Sequence, residues 1–331
     1  MNKEAEEQVI TGPADISEDM EDLKRFEERS FSVRVPASTA NLGAGFDCFG
    51  LALKLYLTVK ARIAPEAIIE CRVRTTGEGS DGEIASTEEN LILRSMRFAA
   101  EQEGLTLPPL ELDVNSELPL ARGLGSSATA IVAGITLASL VCDRELSAET
   151  VLRYAADMEG HADNVAAAYL GGLVITCVKP DGSVLAVKRP WPSELKVVVV
   201  SPEAFLKTAE TRSSLPANVP REDAVFNLQR AALFVAALEA GAYDLLWDAM
   251  QDRLHQGHRQ SLVPGLADAL ATPPQPGLVG VALSGSGPSV VALARDRPAD
   301  IGEAIAEKFR QCGVPARVRV LEADHDGWKR F

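Results

Sequence analysis

Residues 118–138 read LPLARGLGSSATAIVAGITLA: glycines and serines crowd positions 123–127, and an apolar, alanine-rich helical run follows at once. A helix start preceded by glycines turns several unpaired N–H groups toward one point, and the helix dipole favours an anion there. Gly123 and Gly125 let the backbone approach closely, and Ser126 and Ser127 add hydroxyl donors and metal contacts. A tight turn with a serine cap would use the same residues. The stretch lacks the lysine of GxxxxGK[ST], and the chain carries no HRD or DFG set, so neither a P-loop enzyme nor a protein kinase fits. The dipole amounts to roughly half an elementary charge, too little for a nucleoside triphosphate alone. A divalent metal is the remaining candidate to share that charge, and hard magnesium requires carboxylate and hydroxyl oxygens.

Suitable carboxylates lie in DMEGHADN: Asp157, Glu159 and Asp163, beside His161 and Asn164. Taken alone, such residues at a helix end also serve as surface caps. One histidine without CxxC or HExxH spacing argues against zinc. The pairs His255/His258 and Asp324/His325/Asp326 read as solvated helix and tail positions.

The surrounding pattern is mixed. FSVRVPAS from Phe31 alternates as a strand, STANLGAG is a small-residue loop, and FDCFGLALKLYLTVKARI reads as a second long strand or strand pair. Further strands are expected at IIECRVRTT, LELDVNSELPL and GLVITCV, with a polar loop at GEGSDGEIASTEEN. NLILRSMRFAAEQEG is a helix closed by Gly104, and SAETVLRYAADMEG one capped by Ser147. VKRPWPSEL (188–196) reads as a domain joint. Beyond it follow the apolar strand KVVVVSP, helices at VFNLQRAALFVAALEAG and YDLLWDAMQDRLHQ broken at Gly241, and the strand–turn–strand LVGVALSGSGPSVVALAR. The helix IGEAIAEKFRQCG and a final strand ARVRVLEA complete a β-α-α-β-β-α-β order, which predicts an α+β layer with an antiparallel sheet. Residues 1–30 hold ten acidic and four basic residues, and read as a solvated tail with one short helix near Glu21–Glu28.

With 331 residues and a net charge of −14, the chain has room for two cores and lacks the basic face that nucleic acid or anionic lipid requires. Five cysteines without CxxC spacing read as reduced thiols, no apolar run is long enough for a membrane span, and the cytoplasm is the expected compartment.

Four segments in register, VRVPASTANLGAGFDCFGLAL (33–53), LPLARGLGSSATA (118–130), MEGHADNVAAAYLGG (158–172) and VALSGSGPSVVALA (281–294), resemble the motifs of the GHMP small-molecule kinases. PASTANLGAGFDCFGLAL and EGHADN resemble in particular the homoserine kinase branch. The similarity spans about residues 31–330; Ala167 stands where the family usually has proline.

The resemblance implies a two-domain α+β architecture: the tail at 1–30, a ribosomal-S5-domain-2-like ATP-binding domain at 31–191, and a ferredoxin-like domain at 192–331. It implies ATP and Mg2+ as cofactors and L-homoserine as substrate. Pro119, Leu120, Ala121, Arg122, Gly123, Leu124, Gly125, Ser126, Ser127, Ala128 and Thr129 would form the ATP-binding run, and Ser127 and Glu159 would hold the metal. Asn90 and Leu91 would lie by the nucleoside. Asn41 and Asp47 would bind the amino acid, with His161, Asp163 and Asn164 near the reacting hydroxyl. Thr208, Arg212 and Arg259 match substrate-side positions, two arginines suiting a carboxylate. SGSGPS is expected to be structural, with some contact to ligand.

The implied chemistry is direct attack by the bound hydroxyl, with Asp163 and Asn164 positioning it. Mevalonate or phosphomevalonate kinase, a related decarboxylase, and a ligand sensor that has lost catalysis are the competing readings. Ser127 and Glu159 argue against the sensor, and Asp47, Arg212 and Arg259 argue for an amino acid over mevalonate. Homologues are often dimers, so a homodimer is expected, with neither nucleic acid nor membrane as partner.

Overall fold

The computed structural model describes residues 28–64, 71–78, 89–204, 206 and 208–331, and of 208–210 the backbone alone. The helix expected near Glu21–Glu28 and most of the loop GEGSDGEIASTEEN lie outside the described residues.

Two sheets divide the chain. The first is seven-stranded and ordered β11-β1-β2-β4-β3, with β5 added to β2 and β6 to β5. Its strands are β1 (Ser30–Asn41), β2 (Gly45–Ile63), β3 (Cys71–Gly77), β4 (Leu110–Ser116), β5 (Leu173–Val178), β6 (Val184–Arg189) and β11 (Lys329–Arg330). The helices that accompany it are α1 (Leu91–Gln102), α2 (Ser126–Val141), α3 (Ala148–Glu159) and α4 (Asp163–Leu170). The second sheet is antiparallel and ordered β10-β7-β9-β8. It comprises β7 (Lys196–Pro202), β8 (Leu278–Leu283), β9 (Val290–Ala294) and β10 (Ala316–Leu321). The helices of this half are α5 (Thr208–Ser213), α6 (Arg221–Ala240), α7 (Leu246–Ala249), α8 (Gln256–Arg259), α9 (Leu266–Leu270) and α10 (Pro298–Gln311). Of these, α6 packs on the first core through Phe234 and Ala237, and α10 on the second sheet.

Local chemistry explains the boundaries. The Asn90 side chain accepts the amides of Ile92 and Leu93 to open α1, and Ser147 accepts that of Thr150 to open α3. Gly160 and Gly241 take left-handed φ at the ends of α3 and α6. Helix α2 is apolar on every side because it is buried on every side, against β1, α1, α3 and α4. Strand β7 is apolar throughout for a related reason: Val197 and Val199 enter the first core, Val198 and Val200 the second. The second core closes under α10 through Ile301, Ile305 and Phe309.

Three expectations are corrected. YDLLWDAMQDRLHQ is a short 3-10 turn (Tyr243–Leu245) and the four-residue α7, with no long helix. The Asp252 carboxylate accepts the amides of Leu254, His255 and Gln256, which turns the chain and starts α8 instead. Part of the expected joint is strand: β6 reaches Arg189 and pairs along its length with β5. ARVRVLEA, as β10, is not the last strand; β11 pairs with β1 in the first sheet, registering Val33 with Arg330.

Candidate active site

The segment before α2 is wedged between β1 and the β8–β9 turn. Its carbonyls face protein donors: Ser289 N donates to Arg122 O (3.3 Å), Ser284 Oγ to Gly123 O (2.6 Å) and Ser38 N to Leu124 O (3.1 Å). Gly123 and Gly125 adopt φ of 74° and 67°. A Cβ on Gly123 would lie 2.2 Å from Ser284 O, and one on Gly125 2.3 Å from Ser38 Oγ. Both glycines are therefore demanded twice, by conformation and by crowding. The first-turn amides of α2, which have no intrahelical acceptor, open onto a cleft. Leu124 and Ala128 are fully buried and contribute backbone alone to this run. SGSGPS holds the loop to β1: Ser284 Oγ meets Thr39 Oγ1 (2.9 Å), Gly285 O accepts from Asn41 Nδ2 (3.0 Å), and Gly285 and Ser286 line the cleft.

At the floor, Ser127 Oγ donates to Glu159 Oε1 at 2.5 Å. Burial pushes the Glu159 carboxyl above its ordinary value, against the opposing pull of His161 and Ser127. The His161 Nδ1 atom lies 2.6 Å from Asp163 Oδ1, which also accepts the Asn164 amide (2.6 Å), and His161 Nε2 is 3.7 Å from Glu159 Oε1. Burial disfavours the imidazolium, but the hydrogen bond to Asp163 and the two carboxylate charges outweigh it and raise the His161 pKa. Asn164 is committed to the scaffold: its Nδ2 donates to Ser38 Oγ at 2.9 Å.

The opposite wall is cationic. Arg212 forks onto Asp47, Nη2 to Oδ1 at 2.7 Å and Nη1 to Oδ2 at 3.2 Å. Arg259 is 2% exposed, and its guanidinium meets the carbonyls of Thr211 (3.4 Å) and Gly285 (3.3 Å) and His255 Nδ1 (3.3 Å). Burial, with Arg212 nearby, lowers its pKa to about 10, so it stays charged at neutral pH. Phe46 sits under both arginines, 5.9 Å from Arg212 and 5.6 Å from Arg259, and stacks on His255 at 5.0 Å. The Thr208 side chain lies outside the described residues.

His255 and Asp324 overturn the solvated reading of their clusters. His255 is fully buried; Nε2 faces Gly43 O at 2.9 Å, and burial depresses its pKa, so the neutral ring offers Nδ1 to Arg259. Asp324 is buried and accepts from the Tyr56 hydroxyl and the amides of Asp326 and Gly327. The sequence reading also passed over Phe46 and Ser38. For the pairing of His255 with Arg259, the available signal was their spacing of one helical turn.

The polar cleft encloses about 170 Å³ and is lined by Asn41, Asp47, Gly123, Ser127, Glu159, His161, Asp163, Asn164, Arg212 and Arg259, among others. A second cavity of about 310 Å³ adjoins it and shares Ser126 and Ser127. Leu57, Leu91, Ile92, Val114, Leu120 and Ala130 make it largely apolar, with Glu89, Asn90, Ser116 and Thr129 as further polar points. Asn90 and Leu91 thus reach the same cavity as Leu120 and Thr129, while Pro119 does not line either one.

Residues 90–172 match the family described as GHMP kinases N terminal domain, and residues 234–311 match GHMP kinases C terminal. A homoserine kinase of Solibacter usitatus is 40% identical over 297 residues, 87% of this chain and 95% of that protein. One of Moorella thermoacetica is 41% identical over 298 residues, 89% of this chain and 98% of its own. The crystal structure of a homoserine kinase from Cytophaga hutchinsonii superposes with a TM-score of 0.80 at 28% identity, covering 91% of this chain and 97% of that one. The L. major mevalonate kinase complexed with R-mevalonate, 18% identical with a TM-score of 0.65 over 91% of this chain and 96% of its own, shares the fold. Two domain matches in the right order, and about 40% identity across nearly nine-tenths of the sequence, establish that the chain belongs to the homoserine kinase branch of the GHMP kinase family.

Proposed function

We propose that the enzyme transfers the γ-phosphoryl group of ATP to the side-chain hydroxyl of L-homoserine, giving O-phospho-L-homoserine for threonine synthesis. One observation carries this reading. A helix start stripped of competing carbonyls lies between an apolar cavity and a pocket bearing carboxylates on one wall and guanidiniums on the other. That arrangement suits a nucleoside, a polyphosphate and an amino acid in sequence.

The apolar cavity takes the nucleoside beside Asn90 and Leu91, and the amides at the start of α2 take the phosphates. The hydroxyl of Ser127 and the buried carboxylate of Glu159, 2.5 Å apart, form an oxygen donor set that fits a hard divalent cation. They would hold Mg2+, whose charge offsets that of the phosphates. Asp47 receives the substrate ammonium, and Arg212 and Arg259 its carboxylate. This leaves the hydroxyl among His161, Asp163 and Asn164. Asp163 Oδ1 already holds His161 and the Asn164 amide, which lowers its usefulness as a base. The hydroxyl therefore attacks directly, its proton leaving to the γ-phosphate or water, and the protein contributes positioning and charge.

We place the enzyme in the cytoplasm, in keeping with five cysteines that show no CxxC spacing. Among the described residues no helix is long and apolar enough to cross a membrane. A homodimer is proposed from the family, and sedimentation velocity checks it. The activity is tested by ADP release from magnesium-ATP with L-homoserine, L-serine, L-threonine and mevalonate in turn. Turnover restricted to homoserine is expected; turnover with mevalonate alone would keep the fold and overturn the pocket.

A further inference from the structure

The acidic and basic walls of the polar cleft are not separate. Asp47 brings a carboxylate oxygen within 4.8 Å of ligand atoms of both His161 and Asp163, on the acidic side. It also accepts both terminal nitrogens of Arg212, on the basic side. The two partners lie 165 residues apart, and each side chain is 36% exposed, at the mouth of the cleft. Leaving aside the neighbouring Glu159 and His161 on the floor, two carboxylates (Asp47, Asp163) face two guanidiniums (Arg212, Arg259). The pocket is thus balanced for a ligand of zero net charge.

We infer that the Asp47–Arg212 pair is an internal occupant of the amino-acid pocket, which only a ligand carrying both an ammonium and a carboxylate displaces without loss. The inference rests on the proposed reading that amino acids bind here. A ligand with a carboxylate alone must draw Arg212 away from Asp47, and Asp47 is then left beside Asp163 without its hydrogen-bonded guanidinium. A ligand with an ammonium alone leaves Arg212 beside Arg259 with no anion. Taking one partner out of the pair leaves the other facing a like charge across the cleft, a cost of modest size because both side chains are part-exposed. A zwitterion replaces both halves at once. Specificity then resides in what the protein loses when the wrong ligand enters.

The test uses two truncated ligands, 4-hydroxybutyrate, which lacks the ammonium, and 3-aminopropan-1-ol, which lacks the carboxylate. Their affinities are measured by calorimetry on the full chain, for the wild type, Asp47→Asn and Arg212→Gln. Affinity for a non-hydrolysable ATP analogue is measured in parallel to show that each variant is folded. Asp47→Asn is expected to weaken L-homoserine yet tighten 4-hydroxybutyrate about three- to tenfold, because Arg212 is released. Arg212→Gln is expected to tighten 3-aminopropan-1-ol by a similar factor. Unchanged or weaker binding of 4-hydroxybutyrate by Asp47→Asn, with ATP-analogue affinity intact, overturns the inference. Homoserine turnover by the wild type tests the underlying reading separately: no turnover with homoserine overturns that reading, whereas turnover with an unchanged analogue response overturns the inference alone.

Discussion

At the scale of single residues, Glu159 and His255 separate chemistry from positioning. Glu159→Gln keeps the shape of the carboxylate and the Ser127 contact but removes the charge from the floor of the cleft. Its kcat is expected to fall by about two to three orders of magnitude, with the magnesium concentration needed for half-maximal activity rising. Steady-state assays across magnesium concentration check this. Asp163→Asn, in contrast, is expected to lose less than four orders while still binding homoserine; a larger loss would mean that this carboxylate takes the proton. His255 acts through Arg259, holding the guanidinium between its own Nδ1 and the Gly285 carbonyl. His255→Asn preserves an acceptor near the Nδ1 position, whereas His255→Ala leaves Arg259 short of one. The alanine variant is expected to raise KM for homoserine about tenfold, on the scale of a hydrogen bond to a charged group. Its kcat and its KM for ATP should change little, and the asparagine variant should recover most of the loss. Equal effects on both substrates would reduce His255 to a packing role.

At the scale of elements, backbone geometry sets the phosphate loop. Gly125→Ala places a methyl 2.3 Å from Ser38 Oγ at a φ of 67°. It should weaken ATP binding by more than about tenfold, since a left-handed non-glycine residue alone costs about 1–2 kcal/mol; equilibrium binding of an ATP analogue checks this. The start of α2 was legible in the sequence because glycines, serines and an unbroken apolar run all point the same way. Ser147, Gly104 and Gly241 announced their helix ends through the same local chemistry, and the four valines of β7 gave a strand. The short α7 was hidden because YDLLWDAMQDRLHQ has the apolar spacing of a helix, and only the Asp252 side chain, by taking three backbone amides, diverts the chain. Strand β6 was hidden because it is an edge strand with Leu185 and Val187 half exposed, running straight into the prolines of the joint. In the site, the motifs supplied the charged residues one by one. That Asp47 and Arg212 bind each other could not be read there, since sequence spacing does not say which charges meet across a cleft.

At the scale of the whole molecule, charge pairs add to the apolar core that the two sheets share. Glu322, just beyond β10, accepts from Lys54 on β2 (2.9 Å) and Lys196 at the start of β7 (2.8 Å). These hydrogen bonds, that of Lys196 foremost, lower its pKa from 4.5 to about 2. A carboxyl depressed in the folded state contributes stability that is present above about pH 4.5 and lost as pH falls through about 2. Glu322→Gln is therefore expected to make thermal unfolding less dependent on pH within that window, and high salt should shrink the difference between variant and wild type. Differential scanning calorimetry at several pH values checks both. Past Glu322 the chain crosses back to the first sheet: the amide of Asp324 donates to Ala52 O, Gly172 N donates to Asp324 O, and β11 lies along β1. This return path sets an order of events during synthesis. The first sheet leaves the ribosome with the β1 edge uncovered, and it stays so while everything from β7 to β10 is made. At typical elongation rates the delay is on the order of ten seconds. Until then the nascent chain presents an open strand edge to its neighbours on the polysome, so folding of the first domain is finished by residues translated after the second.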